Sequence, residues 1–283
     1  MAMILKGKEV VSQLNDEIKT RSLHLQKQGI QPTLAVVRLG ERPDDLAYER
    51  GLTKRAEKTG VMVKKCVYPQ DLSQDALLEQ IGQLNRDASV HGILIFRPLP
   101  ESIDDRAVRS ALAPEKDVDG ITDASQAGLY SGSGTGFSPC TAEACIRMLT
   151  HYDIPIEGKR AVVIGRSQVI GKPVSLLLLA RNATVTICHS RTENLPEVCR
   201  EADILIAAAG HAGTVTADCF REGQTVIDVA VNVAPDGTMC GDADYDAAVS
   251  IADAVTPVPG GVGTVTSSVL MDHVVTAAER AQK

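Results

Sequence analysis

One stretch of the chain, Gly158–Thr192, has the pattern of a dinucleotide-binding crossover. It contains the apolar run Ala161–Ile164, which is typical of a strand covered on both faces in a parallel sheet. A glycine follows at once, an apolar segment ending at Leu179 predicts a helix, and Thr184–Cys188 predicts the next strand. A strand, a tight turn, a helix and a second strand in this order form a βαβ unit of the kind that binds dinucleotides.

The turn of this unit departs from the common G-x-G-x-x-G pattern. It begins Gly165-Arg166-Ser167 and continues through Gly171 to a proline, a G-x-S-x-x-x-G-x-P arrangement. Main-chain N–H groups at the start of the helix would still meet a pyrophosphate, and Gly171 would still let the helix pack closely on the strand. The pattern alone leaves open an ordinary βα turn that binds no ligand.

The end of the second strand favours NADP over NAD. An NAD site usually carries an acidic residue there, about 20 residues after the glycines, to hold the ribose 2′-hydroxyl. This chain has His189-Ser190-Arg191 instead. Arg191, the Ser190 hydroxyl and Arg166 could surround a 2′-phosphate. The alternative is that Arg191 is only a solvated surface charge.

Bulk properties limit the class of protein. A chain of 283 residues predicts one or two domains, and 44% hydrophobic residues suffice for a core. A net charge of −7 argues against nucleic acid as a partner. The sequence has neither an apolar stretch of transmembrane length nor a secretory start, so we expect no membrane association. Seven scattered cysteines without a C-x-x-C pair predict reduced, buried thiols in a cytoplasmic protein and no metal site.

The first half of the chain alternates predicted helices and strands. Its helical segments are 9–28, 43–59 and 74–85, and its strand segments are 33–39, 61–67 and 92–96. This alternation predicts an α/β fold with a parallel sheet. Because this half lacks a glycine fingerprint, we expect it to be a substrate domain.

The second half contains the nucleotide-binding pattern and a boundary before it. Gly128–Gly136, rich in Gly and Ser, predicts a flexible connection. A helix over 141–151, strands over 204–208 and 226–229 and a final helix over 267–281 follow. We therefore predict a substrate domain over 1–137 and a Rossmann-type NADP-binding domain over 138–266, with 267–283 packing back on the first domain.

Several motifs together resemble one family nearly from end to end, the bifunctional methylenetetrahydrofolate dehydrogenase/cyclohydrolases. The motifs are Pro114–Gly120, Ser138–Ala144, Gly158–Pro173, Cys188–Thr192 and Thr256–Gly263. The resemblance implies two α/β domains flanking a cleft, NADP on the second domain and 5,10-methylenetetrahydrofolate between them, in a homodimer. It implies oxidation of that folate with NADP, followed by hydrolysis of the methenyl product, both steps of one-carbon metabolism.

The resemblance also assigns roles to individual residues. Tyr48 matches the tyrosine that stacks on the pterin ring, and Asp119 matches the carboxylate that grips it, so these two are the catalytic candidates. The alternatives are a core aromatic for Tyr48 and a turn residue for Asp119. Further substrate positions are Leu52, Ile95, Phe96, Arg97 and the loop residues Pro259, Gly260 and Gly261. The implied cofactor positions are Gly165, Arg166, Ser167, Gly171, Ser190, Arg191 and Val231.

Two positions depart from the family pattern. Leu52 stands where the family has a lysine four residues after the tyrosine, and Phe96 stands where it has the glutamine that partners this lysine. Lys54 points to nearly the opposite side of a helix from position 52. We therefore hypothesise a dehydrogenase whose cyclohydrolase activity is weak or lost. The alternatives are a full bifunctional enzyme in which Arg97, Lys54 or another group compensates, and a folate and NADP binder without catalysis.

Overall fold

The computed structural model describes residues 1–234 and 237–282. The chain divides into two compact units, each built from two segments. Unit 1 comprises Met1–Ser12 and Thr141–Thr266, and unit 2 comprises Gln13–Cys140 and the chain from Ser267 onward. The boundaries fall inside three helices, so the units share helical connections.

The elements up to residue 139 alternate as the sequence pattern predicts. In chain order they are β1 (Met3–Ile4), α1 (Gly7–Lys27), β2 (Thr33–Leu39), α2 (Pro43–Thr59), β3 (Met62–Tyr68), α3 (Gln74–Arg86), β4 (Gly92–Ile95), α4 (Asp105–Ala111) and α5 (Asp123–Ser131).

The remaining elements belong to the nucleotide-binding half and the final helix. They are α6 (Cys140–His151), β5 (Arg160–Ile164), α7 (Gly171–Leu179), β6 (Thr184–Cys188), α8 (Leu195–Arg200), β7 (Ile204–Ala207), β8 (Thr225–Asp228), β9 (Asn232–Val233), β10 (Met239–Cys240), α9 (Tyr245–Ile251), β11 (Ala254–Val255) and α10 (Val262–Arg280).

Unit 2 is organised on a three-stranded parallel sheet in the order β3-β2-β4. The central strand is buried along its whole length, as expected when both faces are covered. Helix α2 begins with Pro43 and ends at Gly60, whose φ of 75° provides the left-handed cap. Its buried residues recur at helical spacing, so one face of α2 packs inward. They are Asp45, Glu49, Leu52, Ala56 and Thr59.

Unit 1 contains a six-stranded parallel sheet in the order β1-β11-β8-β7-β5-β6. Because β6 lies on one side of β5 and β7 on the other, the strand order reverses at β5. In such sheets, ligands bind beyond the carboxyl ends of the strands at this switch point. The fold therefore places the turn after β5 at the position where a dinucleotide is expected.

Most predicted elements are confirmed, and three expectations need correction. The predicted connection Gly128–Gly136 is helical through Ser131, because α5 continues until Gly132 supplies a left-handed cap. The final helix begins at Val262, five residues before the predicted start. Met3–Ile4 pairs with Ala254–Val255, so the first residues belong to unit 1 and not to the segment 1–137 in which they were predicted.

The final helix packs within unit 2 as part of a charged network. Arg21 of α1 contacts Asp272 and Glu279 of α10, and Ser268 of α10 donates to Asn15 at 3.0 Å. Among the described residues, no helix combines the length and apolarity required to cross a bilayer.

Candidate functional site

The turn after β5 depends on two glycines. Gly165 has φ +121°, and a Cβ there would lie 2.1 Å from the carbonyl oxygen of Ala208. A Cβ on Gly171 would lie 2.2 Å from the carbonyl oxygen of Gly165. Neither position accepts a side chain, because main-chain atoms occupy the space. The turn therefore brings strand and helix main chains into the close approach that a dinucleotide site needs.

Ser167 changes the expected role of the helix start. Its Oγ accepts hydrogen bonds from the N–H groups of Ile170 at 3.1 Å and Gly171 at 3.4 Å. Its carbonyl oxygen accepts from Lys172 N at 3.0 Å. The expectation that main-chain N–H groups here await a pyrophosphate therefore needs correction, since these three donors already have acceptors within the turn.

The ends of β5 and β6 bring the predicted phosphate ligands to the same edge. Ile164 pairs with Cys188 in the parallel register, so Arg166 and Ser190 each lie two residues beyond paired positions. The side chains of Arg166, Ser190 and Arg191 are all exposed. Two guanidinium groups and a hydroxyl at one sheet edge match the chemistry of a phosphate site, so the residues present fit a 2′-phosphate-bearing dinucleotide.

Val231 and the loop Pro257–Gly261 also belong to unit 1. Val231 is 60% exposed and lies between β8 and β9. The loop is fixed from the start of α1, where Gly7 N donates to Gly260 O at 2.9 Å. A Cβ on Gly7 would lie 2.2 Å from Gly261 O, so this approach also requires glycine. Gly260 has φ +104°, and the Val258–Pro259 peptide bond is cis.

In unit 2, Tyr48 and Phe96 form an aromatic pair. Their ring centroids lie 5.5 Å apart with the planes tilted by 55°. Phe96 is buried and follows Ile95, the last residue of β4, whereas Tyr48 on α2 is 45% exposed. Burial, with the nearby charge of Asp119, raises the pKa of the Tyr48 phenol above its ordinary value. Tyr48 is therefore a half-exposed ring and not a core aromatic.

Asp119 lies beside this pair and has an unusual acidity. Burial first, and then the charge of Asp117, raise the pKa of Asp119 to about 6, although the Cys140 thiol and Arg97 oppose the rise. The turn itself is held by Asp117, which accepts from Ile121 N at 3.0 Å, Thr122 N at 2.8 Å and Ser125 Oγ at 2.6 Å. The turn role considered for Asp119 thus falls to Asp117.

A buried leucine, Leu52, occupies the position at which the family resemblance implies a lysine. Leu52 is 1% exposed and lies one turn after Tyr48, on the same face of α2. Lys54 is exposed and is not part of the buried stripe of that helix. The helical spacing therefore places the Lys54 amine on another side of α2, as predicted.

Arg97 is held by a neighbouring carboxylate. Its Nε lies 2.9 Å from Asp105 Oδ1, and its second nitrogen donates to Asp105 Oδ2 at 3.1 Å. Arg109 binds the same carboxylate at 3.0 Å. Arg97 is therefore anchored on the side of α4, while its charge still acts on Asp119.

Sequence analysis missed a sulfur–imidazole pair whose thiol is hydrogen-bonded to Asp119. The Cys140 Sγ lies 3.2 Å from Val118 O and 3.7 Å from His273 Nδ1. His273 Nδ1 is 2.8 Å from the same carbonyl, which can only accept, so this nitrogen carries the hydrogen. The two residues are 133 positions apart, and no local pattern could have indicated the contact.

These features define an α/β protein with a dinucleotide-binding unit and a second unit carrying an aromatic and carboxylate site. Family models agree with this division: residues 5–119 match the catalytic domain of tetrahydrofolate dehydrogenase/cyclohydrolase, and residues 139–282 match its NAD(P)-binding domain. The chain belongs to the tetrahydrofolate dehydrogenase/cyclohydrolase family.

Individual relatives match over nearly the full length. The bifunctional protein FolD of Carboxydothermus hydrogenoformans is 50% identical, covering 99% of this chain and 98% of the relative. The bifunctional FolD structure from Campylobacter jejuni superposes with a TM-score of 0.96 at 35% identity, covering 99% of each chain. The FolD of Trypanosoma brucei, solved with NADP and an inhibitor, superposes with a TM-score of 0.92 at 33% identity, covering 100% of this chain and 99% of the other.

Proposed function

We propose that this chain is an NADP-dependent 5,10-methylenetetrahydrofolate dehydrogenase. The proposal depends on one observation: the chain has two sets of site residues. The first is the glycine turn after β5 with the exposed side chains of Arg166 and Arg191, and the second is Tyr48 near Asp119. The positive side chains favour NADP, and the Trypanosoma brucei relative was solved with this cofactor. Tyr48 would stack on the pterin, and the Asp119 carboxylate would accept from its paired N–H donors.

Oxidation of methylenetetrahydrofolate requires little acid–base catalysis by protein side chains. When bound, NADP would supply the hydride acceptor for the methylene carbon, and the adjacent folate nitrogen would stabilise the cation that develops. The chain contributes alignment and exclusion of water. Tyr48 and Asp119 supply the alignment of the folate in our proposal, and neither requires an amine at position 52.

Hydrolysis of the methenyl product is the more demanding step, and we propose that it is weak or lost. Activating water requires a positioned group with a pKa near the working pH. A cleft lysine can meet this requirement when burial lowers its pKa. Leu52 cannot titrate, and Phe96 removes the polar partner. Arg97 is engaged by Asp105, and a guanidinium is in general no substitute for a titrating amine.

The full bifunctional enzyme is the alternative, and the names of the relatives support it better than they support the loss. One observation on this chain also favours it. Asp119, with a pKa raised to about 6, is a titratable group beside Tyr48 and could serve as the acid–base group that the lysine provides elsewhere. A hydrogen bond from Cys140 and the charge of Arg97 favour its ionised form.

A paired assay on purified protein separates these possibilities. NADPH formation from methylenetetrahydrofolate is measured first, and the decay of supplied methenyltetrahydrofolate is compared with its decay in buffer. Turnover with decay at the buffer rate supports the single activity, whereas accelerated decay establishes the bifunctional enzyme. NADP binding without any turnover would favour a third class, a non-catalytic folate and NADP binder.

We further propose that the protein acts in the cytoplasm as a homodimer, as the family resemblance implies. Light scattering at several protein concentrations tests the assembly. A mass of one 30.1 kDa chain at all of them would contradict it.

A further inference from the structure

Two buried carboxylates lie together at the carboxyl edge of the sheet in unit 1. Asp228 is the last residue of β8 and is 4% exposed, and Asp242 follows β10 and is fully buried. Neither belongs to the turn after β5 or to the predicted phosphate ligands. Buried charges are retained in folded proteins when they are well satisfied, so the contacts of this pair indicate what it does.

Asp242 connects two loops that follow neighbouring strands. Its Oδ2 accepts from Ala209 N at 2.6 Å and Gly210 N at 2.9 Å, in the loop after β7. Its Oδ1 accepts from Asn232 Nδ2 at 3.0 Å, at the start of β9. One carboxylate therefore ties the loop after β7 to the segment after β8.

Asp228 fixes the segments on either side of Asp242. Its Oδ2 accepts from Ala243 N at 2.8 Å, and its Oδ1 accepts from Asp242 N at 3.2 Å and Ala230 N at 3.3 Å. A Cβ on Gly241 would lie 2.0 Å from Asp228 Oδ2, so only glycine leaves space for this carboxylate. The pair and Gly241 together are called the carboxylate clamp below.

The clamp extends to the loop that contains Pro259. The Thr256 hydroxyl accepts from Asp228 N at 2.7 Å and donates to Asp228 O at 3.2 Å. Thr256 immediately precedes Pro257–Gly261. The end of β8 is thereby joined to the loop after β11, and the carboxyl ends of β7, β8 and β11 are organised around one cluster.

Burying Asp228 and Asp242 together is not expected to stabilise the fold. Burial raises the pKa of Asp228 to about 6, and the charge of Asp242, the titratable group that faces it, adds to the rise against the main-chain hydrogen bonds. Like charges held together in the interior disfavour the folded state at neutral pH. Carboxylates with strongly shifted pKa values cluster at functional sites.

The position of the clamp identifies that surface. Neighbouring strands lie about 4.8 Å apart, so β8 is about 14 Å from β6, where the phosphate ligands Ser190 and Arg191 lie. A dinucleotide whose adenosine half lies at β6 would extend across β5 to the ends of β7 and β8. The exposed Val231, next to clamped Asn232, lies at that end.

We propose that Asp228 and Asp242 are positioning residues for the dinucleotide, because their hydrogen bonds hold the loops after β7 and β8 in the arrangement that receives the nicotinamide half. The inference rests on the proposed use of NADP. It concerns this chain's own residues, which act through the loops and do not touch the reacting atoms.

Calorimetric binding to two ligands tests the proposal. NADP spans both halves of the site, whereas 2′,5′-ADP carries only the adenosine half and its 2′-phosphate. Asp242→Asn and Asp228→Asn should weaken NADP binding roughly tenfold or more, since small misplacements of positioning groups have effects of this order. Binding of 2′,5′-ADP should change less than about twofold. Asp244→Asn is the matched control, because that carboxylate caps α9 through Ala247 N and lies outside the clamp.

Gly241→Ala is a second route to the same result, since it crowds Asp228 Oδ2 without removing a charge. Equal losses for NADP and 2′,5′-ADP, or unchanged NADP binding in every clamp variant that retains the far-ultraviolet spectrum of the wild type, would overturn the inference. If the wild-type protein binds neither ligand, the proposed cofactor is wrong, and that result is distinct from a failure of the clamp variants.

Discussion

The ring of Phe96 packs against the ring of Tyr48, with centroids 5.5 Å apart and planes tilted by 55°. The family pattern has a glutamine at position 96, so this chain replaces an amide by an aromatic surface at the proposed pterin site. Leu52 lies one helical turn after Tyr48 and adds a second apolar side chain at this site. These apolar side chains provide a surface for ring stacking, but neither can titrate or form a hydrogen bond to water.

Restoring the lysine alone should restore little hydrolysis. In Leu52→Lys, the new amine would occupy a position that is 1% exposed in the wild type, and Phe96 would leave it without a hydrogen-bond acceptor. We expect the double variant Leu52→Lys/Phe96→Gln to accelerate methenyltetrahydrofolate decay more than the single variant. Leu52→Met controls for volume, because it fills a similar space without a charge. Substantial rescue by Leu52→Lys alone would show that the glutamine is dispensable.

Substrate binding should weaken below pH 6 because of Asp119. The pKa of this carboxyl is raised to about 6, so the carboxylate acceptor is present above that pH and is lost as pH falls through it. Affinity for folic acid, measured by fluorescence quenching, should fall by up to about tenfold per pH unit once the group is protonated. In Asp119→Asn, affinity should be low at pH 7.5 and nearly independent of pH between 5 and 7.5.

The same group should have the opposite effect on folding stability. A raised pKa means that the folded state binds this proton more tightly than the unfolded chain does, so the contribution of Asp119 to stability grows as pH falls from 7 to 4. The difference in unfolding free energy between wild type and Asp119→Asn should therefore shift toward the wild type at lower pH. A difference that shifts toward Asp119→Asn as the pH falls would contradict a raised pKa for Asp119.

Cofactor choice should depend on Arg191. Removing a charge that contacts a 2′-phosphate should weaken NADP binding roughly 10- to 100-fold, because charge-assisted hydrogen bonds contribute about 1.5–3 kcal/mol. NAD lacks this phosphate, and its binding to Arg191→Ala should remain within about twofold of the wild type. Arg86→Ala, which removes an exposed guanidinium from unit 2, is the control. Equal effects on NADP and NAD would mean that Arg191 is only a surface charge.

Helices and strands with a clear start, end or residue pattern in the sequence were predicted correctly. Pro43 and Gly60 delimit α2, and the strands predicted over 33–39 and 184–188 have the observed bounds of β2 and β6. Strands of two residues, such as β1 and β11, carry no periodic pattern and are stabilised by their partners. The start of α10 was missed because Gly263 lies in its first turn, where a helix former would be expected.

Residue types and spacings alone could not show which side chains of the site contact each other. The motif containing Asp117 and Asp119 offers two carboxylates, and only the hydrogen bonds from Ile121, Thr122 and Ser125 reveal which of them holds the turn. Asp228 and Asp242 are 14 residues apart and meet through the sheet, so no spacing rule could indicate them. The helix-start N–H groups were likewise misjudged, because a serine hydroxyl can satisfy them from within the turn.

The placement of Tyr48 should depend on a buried ion pair beside it. Arg38 of β2 binds Glu49 of α2, with Nε 3.0 Å from Oε2 and both side chains 6% exposed, and Lys65 of β3 lies 2.7 Å from the other carboxylate oxygen. Burial opposes ionisation of Glu49, but these two cations keep its pKa below the ordinary value. Since Glu49 follows Tyr48 directly, this contact fixes the helix that carries the pterin-stacking ring.

Removing one partner of the Arg38–Glu49 pair should destabilise the protein far more than replacing both partners by apolar residues. Glu49→Ala leaves Arg38 buried without its partner and should lower the free energy of unfolding by about 3–5 kcal/mol, whereas Arg38→Met/Glu49→Leu should be nearly neutral. Glu57→Ala, at an exposed position of the same helix, is the control, and urea denaturation followed by circular dichroism is the measurement. Equal losses in the single and double variants would contradict the expectation that apolar packing can replace this ion pair.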